Sequence, residues 1–306
     1  IPELLKRGYD EKTTIGSLAG SSTLGFLIPP SIIMIVYGVA ADVSITRLFI
    51  AGILPGIMLM ILFMGYLAIW SMLNPSKVPA REPRIPFLRR LRETAKLFPI
   101  VLLMIAVIGS IYLGIATATE AAAVGVVGAL LIALFTGSMT KQNFIDSVLG
   151  ATRTSVMVSF ILAGAAFLST AMGFTGIPRE LSAWVGTLGL DKFELLLALT
   201  LLFIVLGCFL DGISIVVLTA AVIMPIIQQA GIDPIWFGIF IVVVIEMSQI
   251  TPPVGINLFI LQSMTGKNLW QVAVAAFPFF LLLVVATILL ILFPQIATWL
   301  PDTIRK

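Results

Sequence analysis

The chain has 306 residues, 59% of them hydrophobic and only 11% charged, with a mean hydropathy of +1.14. A soluble domain carries about twice that share of charge, so the composition excludes a water-soluble enzyme. No histidine is present and Cys208 is the sole cysteine, which removes His-based acid/base chemistry, most zinc sites and any internal disulfide.

In chain order, the first apolar stretch covers residues 13–38 and follows Lys6, Arg7 and Lys12. Residues 45–72 are long enough to cross a bilayer core, which takes about 20 apolar residues in a helix. The loop 73–96 is Pro-rich and basic, with Lys77, Arg81, Arg84, Arg89, Arg90, Arg92 and Lys96 against Glu82 and Glu93. Net charge is +3 and its excess lies in this loop, so it reads as membrane topology and not as a nucleic-acid footprint. By the positive-inside rule the loop is cytoplasmic. Ala40–Ser44 is then external, and 13–38 begins inside. Going forward, 97–116 crosses outward, 121–136 returns, 140–146 is cytoplasmic, and 147–172 crosses outward. Residues 173–192 are external, with a short surface helix around Trp184. The run 195–230 is too long for one span, and Gly207, Asp211 and Gly212 mark its middle. It predicts two half-depth helices meeting at Asp211–Ser214, a re-entrant hairpin. A second broken segment, 235–263, follows. Segment 272–293 leaves the C-terminus external, where Arg305 and Lys306 run mildly against the rule. The short alternating segments of a β-barrel do not occur. The fold class is an all-α polytopic membrane protein.

Residues 1–55 laid over 224–278, a shift of 223 positions, put Pro2 on Pro225, Gly8 on Gly231, Asp10 on Asp233, Pro29-Pro30 on Pro252-Pro253 and Pro55 on Pro278. What recurs is proline and glycine, the residues that set backbone shape. The crossing count places Asp10 inside and Asp233 outside, so the repeats are inverted, as in many secondary transporters. Residues 1–72 are then the end of the first repeat, 73–96 the basic loop, and 97–300 the second repeat. Several hydrophobic segments precede the second block and none precedes the first, which predicts roughly 120 further residues upstream of Ile1.

Paired Pro-interrupted segments point to a transporter's binding site. In Gly25-Phe26-Leu27-Ile28-Pro29-Pro30-Ser31 and Ser248-Gln249-Ile250-Thr251-Pro252-Pro253-Val254-Gly255, two prolines remove two backbone donors and leave carbonyls without partners. In lipid these need protein, water or ions. Carbonyls and hydroxyls at mid-depth suit Na⁺, and a half-helix N-terminus suits an anion. Candidate sodium and substrate residues are Ser21, Ser22, Thr23, Gly25 and Pro29 at the first break. At the hairpin tip and second break they are Asp211, Gly212, Ser214, Glu246, Ser248, Gln249, Thr251, Pro252, Gly255 and Asn257. The Na⁺ set is Ser22, Thr23, Gly25, Asp211, Thr251 and Gly255. A plain kink accounts for one such motif; two in matched positions favour a site. Asp211 also suits an N-cap for the second hairpin helix, with Ser214 three positions on, and Glu246 suits holding freed backbone donors. Thr117-Ala118-Thr119-Glu120 has capping-box spacing. Arg153 and Arg179 lie near membrane edges, where snorkelling is the commoner use. Gly125 and Gly128 read as helix-packing contacts.

Three stretches resemble one family. Ile15-Gly16-Ser17-Leu18-Ala19-Gly20 leading into the first break, Thr117–Gly125, and Ile250–Phe259 are similar to the large membrane (M) subunit of TRAP, the tripartite ATP-independent periplasmic transporters. Ala118 stands where the family would carry proline. The resemblance implies a Na⁺-coupled importer of organic acids such as C4-dicarboxylates or sialic acid, working by an elevator-type mechanism in a bacterial inner membrane. It implies two partners, a periplasmic substrate-binding protein and a small four-helix membrane (Q) subunit. It also implies a first hairpin upstream of Ile1.

A single-component Na⁺/dicarboxylate symporter shares this architecture, and the residues alone do not separate the two. An intramembrane aspartyl protease needs two aspartates sharing a proton; Asp211 and Glu246 do not supply them. For a channel, nothing indicates a continuous pore, and alternating access is the usual use of inverted repeats. The acid carried, the Na⁺ stoichiometry and the oligomeric state stay open.

Overall fold

The computed structural model describes residues 1–79, 86, 94, 97–253 and 255–304. The basic residues of the 73–96 loop other than Lys77, and Val254, Arg305 and Lys306, lie outside them. Among the described residues all regular structure is helical. The chain divides into two compact units, Ile1–Pro79 with Leu162–Lys306, and Ala80–Ile161.

In the first unit, α1 (Pro2–Lys6) leads into α2 (Glu11–Leu27), α3 (Ile32–Ala40) and α4 (Ile45–Leu73). In the second, α5 (Phe98–Tyr112) packs against α6 (Ala118–Phe135), with Gly125 set on Val107 and Gly128 on Leu103. The long helix α7 (Lys141–Thr175) follows. The remainder is α8 (Ile177–Thr187), α9 (Lys192–Gly207), α10 (Gly212–Gln229), α11 (Pro234–Gln249), α12 (Ile256–Thr265), α13 (Leu269–Leu292) and α14 (Gln295–Thr303).

The helices start where the sequence supplies caps. Asp10, Asp191, Asp233 and Asn268 each accept the backbone N–H three residues on, at 2.8–2.9 Å, which satisfies a donor that the first turn leaves free. Thr117 and Glu120 form the expected capping box. Burial acts to raise Asp10, but the Thr13 N–H and hydroxyl, with Lys77 and Lys12 nearby, outweigh it and hold the carboxyl below its usual range. Residues 140–146, expected on the cytoplasmic side ahead of the span, hold the N-cap and first turns of α7. Thr140 caps Asn143 at 3.1 Å and Gln142 reaches Asp146 one turn on, at 2.9 Å, so polar residues begin the helix.

Five helices, α4, α6, α7, α10 and α13, are long and apolar enough to cross a membrane, and the pair α2/α3, bent by 42°, makes a sixth. The chain is thus an all-α polytopic membrane protein. In the first unit α11 is the hub: every residue from Ile235 to Gln249 is buried. It packs against α2, α3, α4, α9, α10, α12, α13 and α14.

The two blocks matched in sequence repeat their geometry. Gly8 and Gly231 both have positive φ, both Pro-Pro peptide bonds are cis, and Pro55 and Pro278 both lie inside a helix. Glu11, at the start of the first block, pairs with Lys267 at the end of the second at 2.9 Å. The Tyr37 hydroxyl, near the end of the first broken helix, donates to the Pro234 carbonyl at the start of the second at 2.7 Å. The blocks therefore run antiparallel. Their packing is reciprocal: α2 lies on α13 and α4 on α11.

Small residues permit the close helix approaches that drive association in lipid. A Cβ on Gly20 would lie 2.7 Å from Cγ and 2.9 Å from Cβ of Phe279. Gly65 has nothing within 4 Å of that position. Gly20→Ala is expected to cost about 1–3 kcal/mol by overpacking, whereas Gly65→Ala is neutral or stabilising. Thermal unfolding in detergent checks this, and equal melting temperatures for the two variants would contradict the packing.

Candidate functional site

The site is built from the hairpin α9/α10 and the break between α11 and α12. Lys192 Nζ, at the start of α9, donates to the Gly231 carbonyl just beyond α10 at 3.1 Å. The chain thus runs up α9, turns at 208–211, and returns along α10. Each of α9 and α11 has 16 residues, about 24 Å of helix against a bilayer core of about 30 Å. They run in the same direction, so the hairpin tip meets the end of α11.

That meeting is close. A Cβ on Gly207 would collide with the Ser248 side chain, and one on Gly212 would lie 2.6 Å from Ile33 Cδ1 and 2.9 Å from Ile245 Cγ2. Cys208 Sγ donates to the Pro252 carbonyl at 3.3 Å. The tip therefore touches the second break directly and α3 from the first block. Asp211 Oδ2 accepts from the Ile213 and Ser214 backbone at 3.0 and 3.3 Å, and Oδ1 accepts from the Ser214 hydroxyl. Its carboxylate caps α10, as its spacing allows.

At the second break the backbone ladder stops. Thr251 N–H reaches the Ser248 carbonyl at 3.1 Å and its hydroxyl the Met247 carbonyl at 2.6 Å; Pro252 and Pro253 then offer no donor. The chain turns at Gly255, with φ of +37°, a conformation that favours glycine. A Cβ there would lie 2.8 Å from the Thr251 carbonyl oxygen and 2.9 Å from that of Gln249. Two carbonyl oxygens thus converge on the bare face of Gly255, a cradle any side chain would fill. Hard cations take such oxygens. Two amide donors flank the break without an acceptor among the described residues: Gln249 Nε2, on a side chain only 2% exposed, and Asn257 Nδ2. Unpaired buried donors of this kind cost about 1–3 kcal/mol each, and an anionic group would satisfy them.

The first break is arranged differently. Ser31 donates to the Phe26 carbonyl and caps Met34 at 3.3 Å. Pro29 offers no donor to the Gly25 carbonyl, which has no hydrogen-bond partner among the described residues. Ser21, Ser22 and Gly25 are exposed and Pro29 is buried. Thr23 is buried on the opposite face, where its hydroxyl meets Glu246 Oε2 at 3.3 Å. The structure thus gathers Asp211, Gly212, Ser214, Ser248, Gln249, Thr251, Pro252, Gly255 and Asn257 around one locus. It leaves Ser21, Ser22 and Gly25 on a separate face, with Thr23 and Glu246 linking the two broken helices.

Sequence reasoning missed Cys208 and Ile33 as neighbours of the site; neither carries a pattern that announces it. Arg179 lines a cavity of about 430 Å³ with Ser182 and Gln229, away from the break, and Arg153 is exposed.

Cys208 is buried against a carbonyl and such thiols are inert. Maleimide labelling of the folded protein is expected to be at least about tenfold slower than after unfolding in SDS; equal rates would place the tip away from Pro252.

The family model described as the DctM component of the tripartite ATP-independent periplasmic transporters matches residues 1–296. The chain is 35% identical over 303 residues to the C4-dicarboxylate TRAP transporter large permease protein DctM of Pseudomonas aeruginosa, covering 99% of this chain and 70% of that protein. It is 35% identical over 304 residues to the ectoine TRAP transporter large permease protein TeaC of Halomonas elongata, covering 98% and 70%. It is 30% identical over 300 residues to the isethionate TRAP transporter permease protein DctMQ of Oleidesulfovibrio alaskensis, covering 97% and 46%.

Proposed function

This chain belongs to the DctM family, the large membrane components of tripartite ATP-independent periplasmic transporters, and from that premise we propose that it carries an organic acid inward by Na⁺-coupled alternating access. The observation that carries the reading is the convergence of the Gln249 and Thr251 carbonyls at Gly255, beneath the hairpin tip. In this account Na⁺ is held at the second break by those carbonyls with Asp211 orienting the tip, and at the first break by Ser22 and Gly25. Thr23 keeps its hydroxyl on Glu246 and supports the first break from behind. The substrate's anionic group takes the Gln249 and Asn257 amides. Cation and anion then neutralise each other in a site that water leaves on closure, which makes each bind better with the other present.

The substrate is an organic anion of the C4-dicarboxylate or sialic acid class; the names of the relatives add ectoine as a third candidate. A periplasmic binding protein delivers it and a small four-helix membrane subunit completes the transporter. One relative is named DctMQ, a name that fits fusion of the large and small parts. The membrane is the bacterial inner membrane, and the two antiparallel blocks form an inverted repeat that moves elevator-fashion. A single-component symporter is the alternative.

Uptake into proteoliposomes holding the full-length protein and its small subunit tests this, with labelled C4-dicarboxylates, sialic acid and ectoine, with and without Na⁺ and binding protein. Uptake needing both is expected; Na⁺-driven uptake without the binding protein supports the symporter. Gly255→Ala, Asp211→Ala and Thr251→Ala are each expected to lower uptake at least about tenfold, the equivalent of one lost interaction of 1.4 kcal/mol. They should also weaken its Na⁺ dependence, and wild-type behaviour in all three would sink the site. For topology, a cysteine replacing Ser76 is expected to stay unlabelled from the periplasm in intact cells, and its labelling there would reverse the orientation.

A further inference from the structure

Thr23 and Glu246 are 223 positions apart, the same shift that relates the two sequence blocks. Each is the other's counterpart in the repeat. When two equivalent elements pack antiparallel and reciprocally, a residue meets its own counterpart only on the axis relating them. The contact therefore lies on the pseudo-twofold axis between α2 and α11, and both residues are fully buried.

The protons at this contact can be counted. Thr23 Oγ1 lies 2.8 Å from the Gly20 carbonyl oxygen and 3.3 Å from Glu246 Oε2. A hydroxyl has one proton, and a carbonyl can only accept. The shorter bond takes that proton, so the bond to Glu246 needs a proton from the carboxyl itself. A carboxylate would set lone pair against lone pair. No cation is at hand to compensate. Of the elements packed on α11, α3, α12 and α13 carry no ionisable charge. The others hold theirs at helix ends: Glu11 and Lys12 on α2, Arg47 on α4, Lys192 and Glu194 on α9, Asp211 capping α10, and Asp302 on α14. Glu246 Oε1 has no partner among the described residues. An unpaired acid oxygen costs about 1–3 kcal/mol, far less than a buried bare carboxylate.

We propose that Glu246 works as an un-ionised carboxylic acid that donates to Thr23, fastening the two broken helices on their common axis one turn before the second break. It is a positioning residue and not a ligand of the coupling cation. Its effect on uptake rests on the reading of the breaks as the transport site, but the contact itself is testable without transport.

Four variants and one spectrum decide it. Glu246→Gln retains a donor for Thr23 and is expected to keep the melting temperature of the wild type. Glu246→Ala and Thr23→Val each lose the contact and are expected to melt several degrees lower, with slower uptake. In the double variant Thr23→Val/Glu246→Leu, the loss is expected to be no greater than the larger single loss. Infrared spectroscopy at neutral pH is expected to carry a protonated-carboxyl band that disappears in Glu246→Gln. A Glu246→Gln protein that melts as low as Glu246→Ala, or absence of that band in the wild type, overturns the proposal. If the wild type takes up nothing under a Na⁺ gradient, the transport reading fails alone, and the melting order with the infrared band still decides the contact.

Discussion

The structure turns on backbone carbonyls that two proline pairs leave without donors in the middle of a membrane protein. Hydrocarbon offers nothing to a free carbonyl, so such breaks survive only where protein, water or ions meet them. At the first break the Ser31 hydroxyl takes the Phe26 carbonyl. At the second, Thr251 takes the Ser248 and Met247 carbonyls and Cys208 takes that of Pro252. What is left over is the pair of Gln249 and Thr251 oxygens beside Gly255, which the proposed cation site uses. The cation site proposed here would need no special residue type, only the interrupted ladder and the lack of a Cβ at one position.

The rest of the first unit holds that interruption in place. Helix α11 is buried on all sides, which removes it from lipid and makes its end a fixed point. Gly207, Gly212 and Gly238 let the hairpin, α3 and α4 approach it closely; a Cβ on Gly238 would lie 2.5 Å from Tyr37 Cε1 and 2.7 Å from Leu48 Cδ2. Because the packing is reciprocal, corresponding helices meet twice, with different side chains. A two-state motion in which one block moves against fixed neighbours needs such rigid, discretely packed parts.

Much of this was legible from residue type alone. Proline and glycine carry backbone instructions that burial cannot override, so both breaks, the Thr117–Glu120 box and the existence of the hairpin were readable. The hairpin's turn, expected at Asp211–Ser214, lies three residues earlier at 208–211, because Asp211 caps the returning helix. The start of α7 was not readable, because the apolar run begins near Ser147 and the turns before it are mostly polar; Thr140 caps them at Asn143. Nor was the pairing of Thr23 with Glu246. The repeat shift of 223 contains it, but only antiparallel packing brings counterparts together. The Gly255 cradle was similarly hidden: a glycine after Pro-Pro reads as a turn, and its carbonyl neighbours appear only when φ is known.

Na⁺ binding at the second break is the central claim, and ligand binding to the native state alone raises its stability by RT ln(1 + c/Kd), where c is the free ligand concentration. The most direct measurement is the melting temperature of the full-length protein with its small subunit in detergent, titrated with NaCl against choline chloride at constant ionic strength. The account predicts a rise specific to Na⁺ that keeps growing with the logarithm of its concentration and that Gly255→Ala diminishes. Identical curves in the two salts, or an undiminished rise in Gly255→Ala, would contradict it.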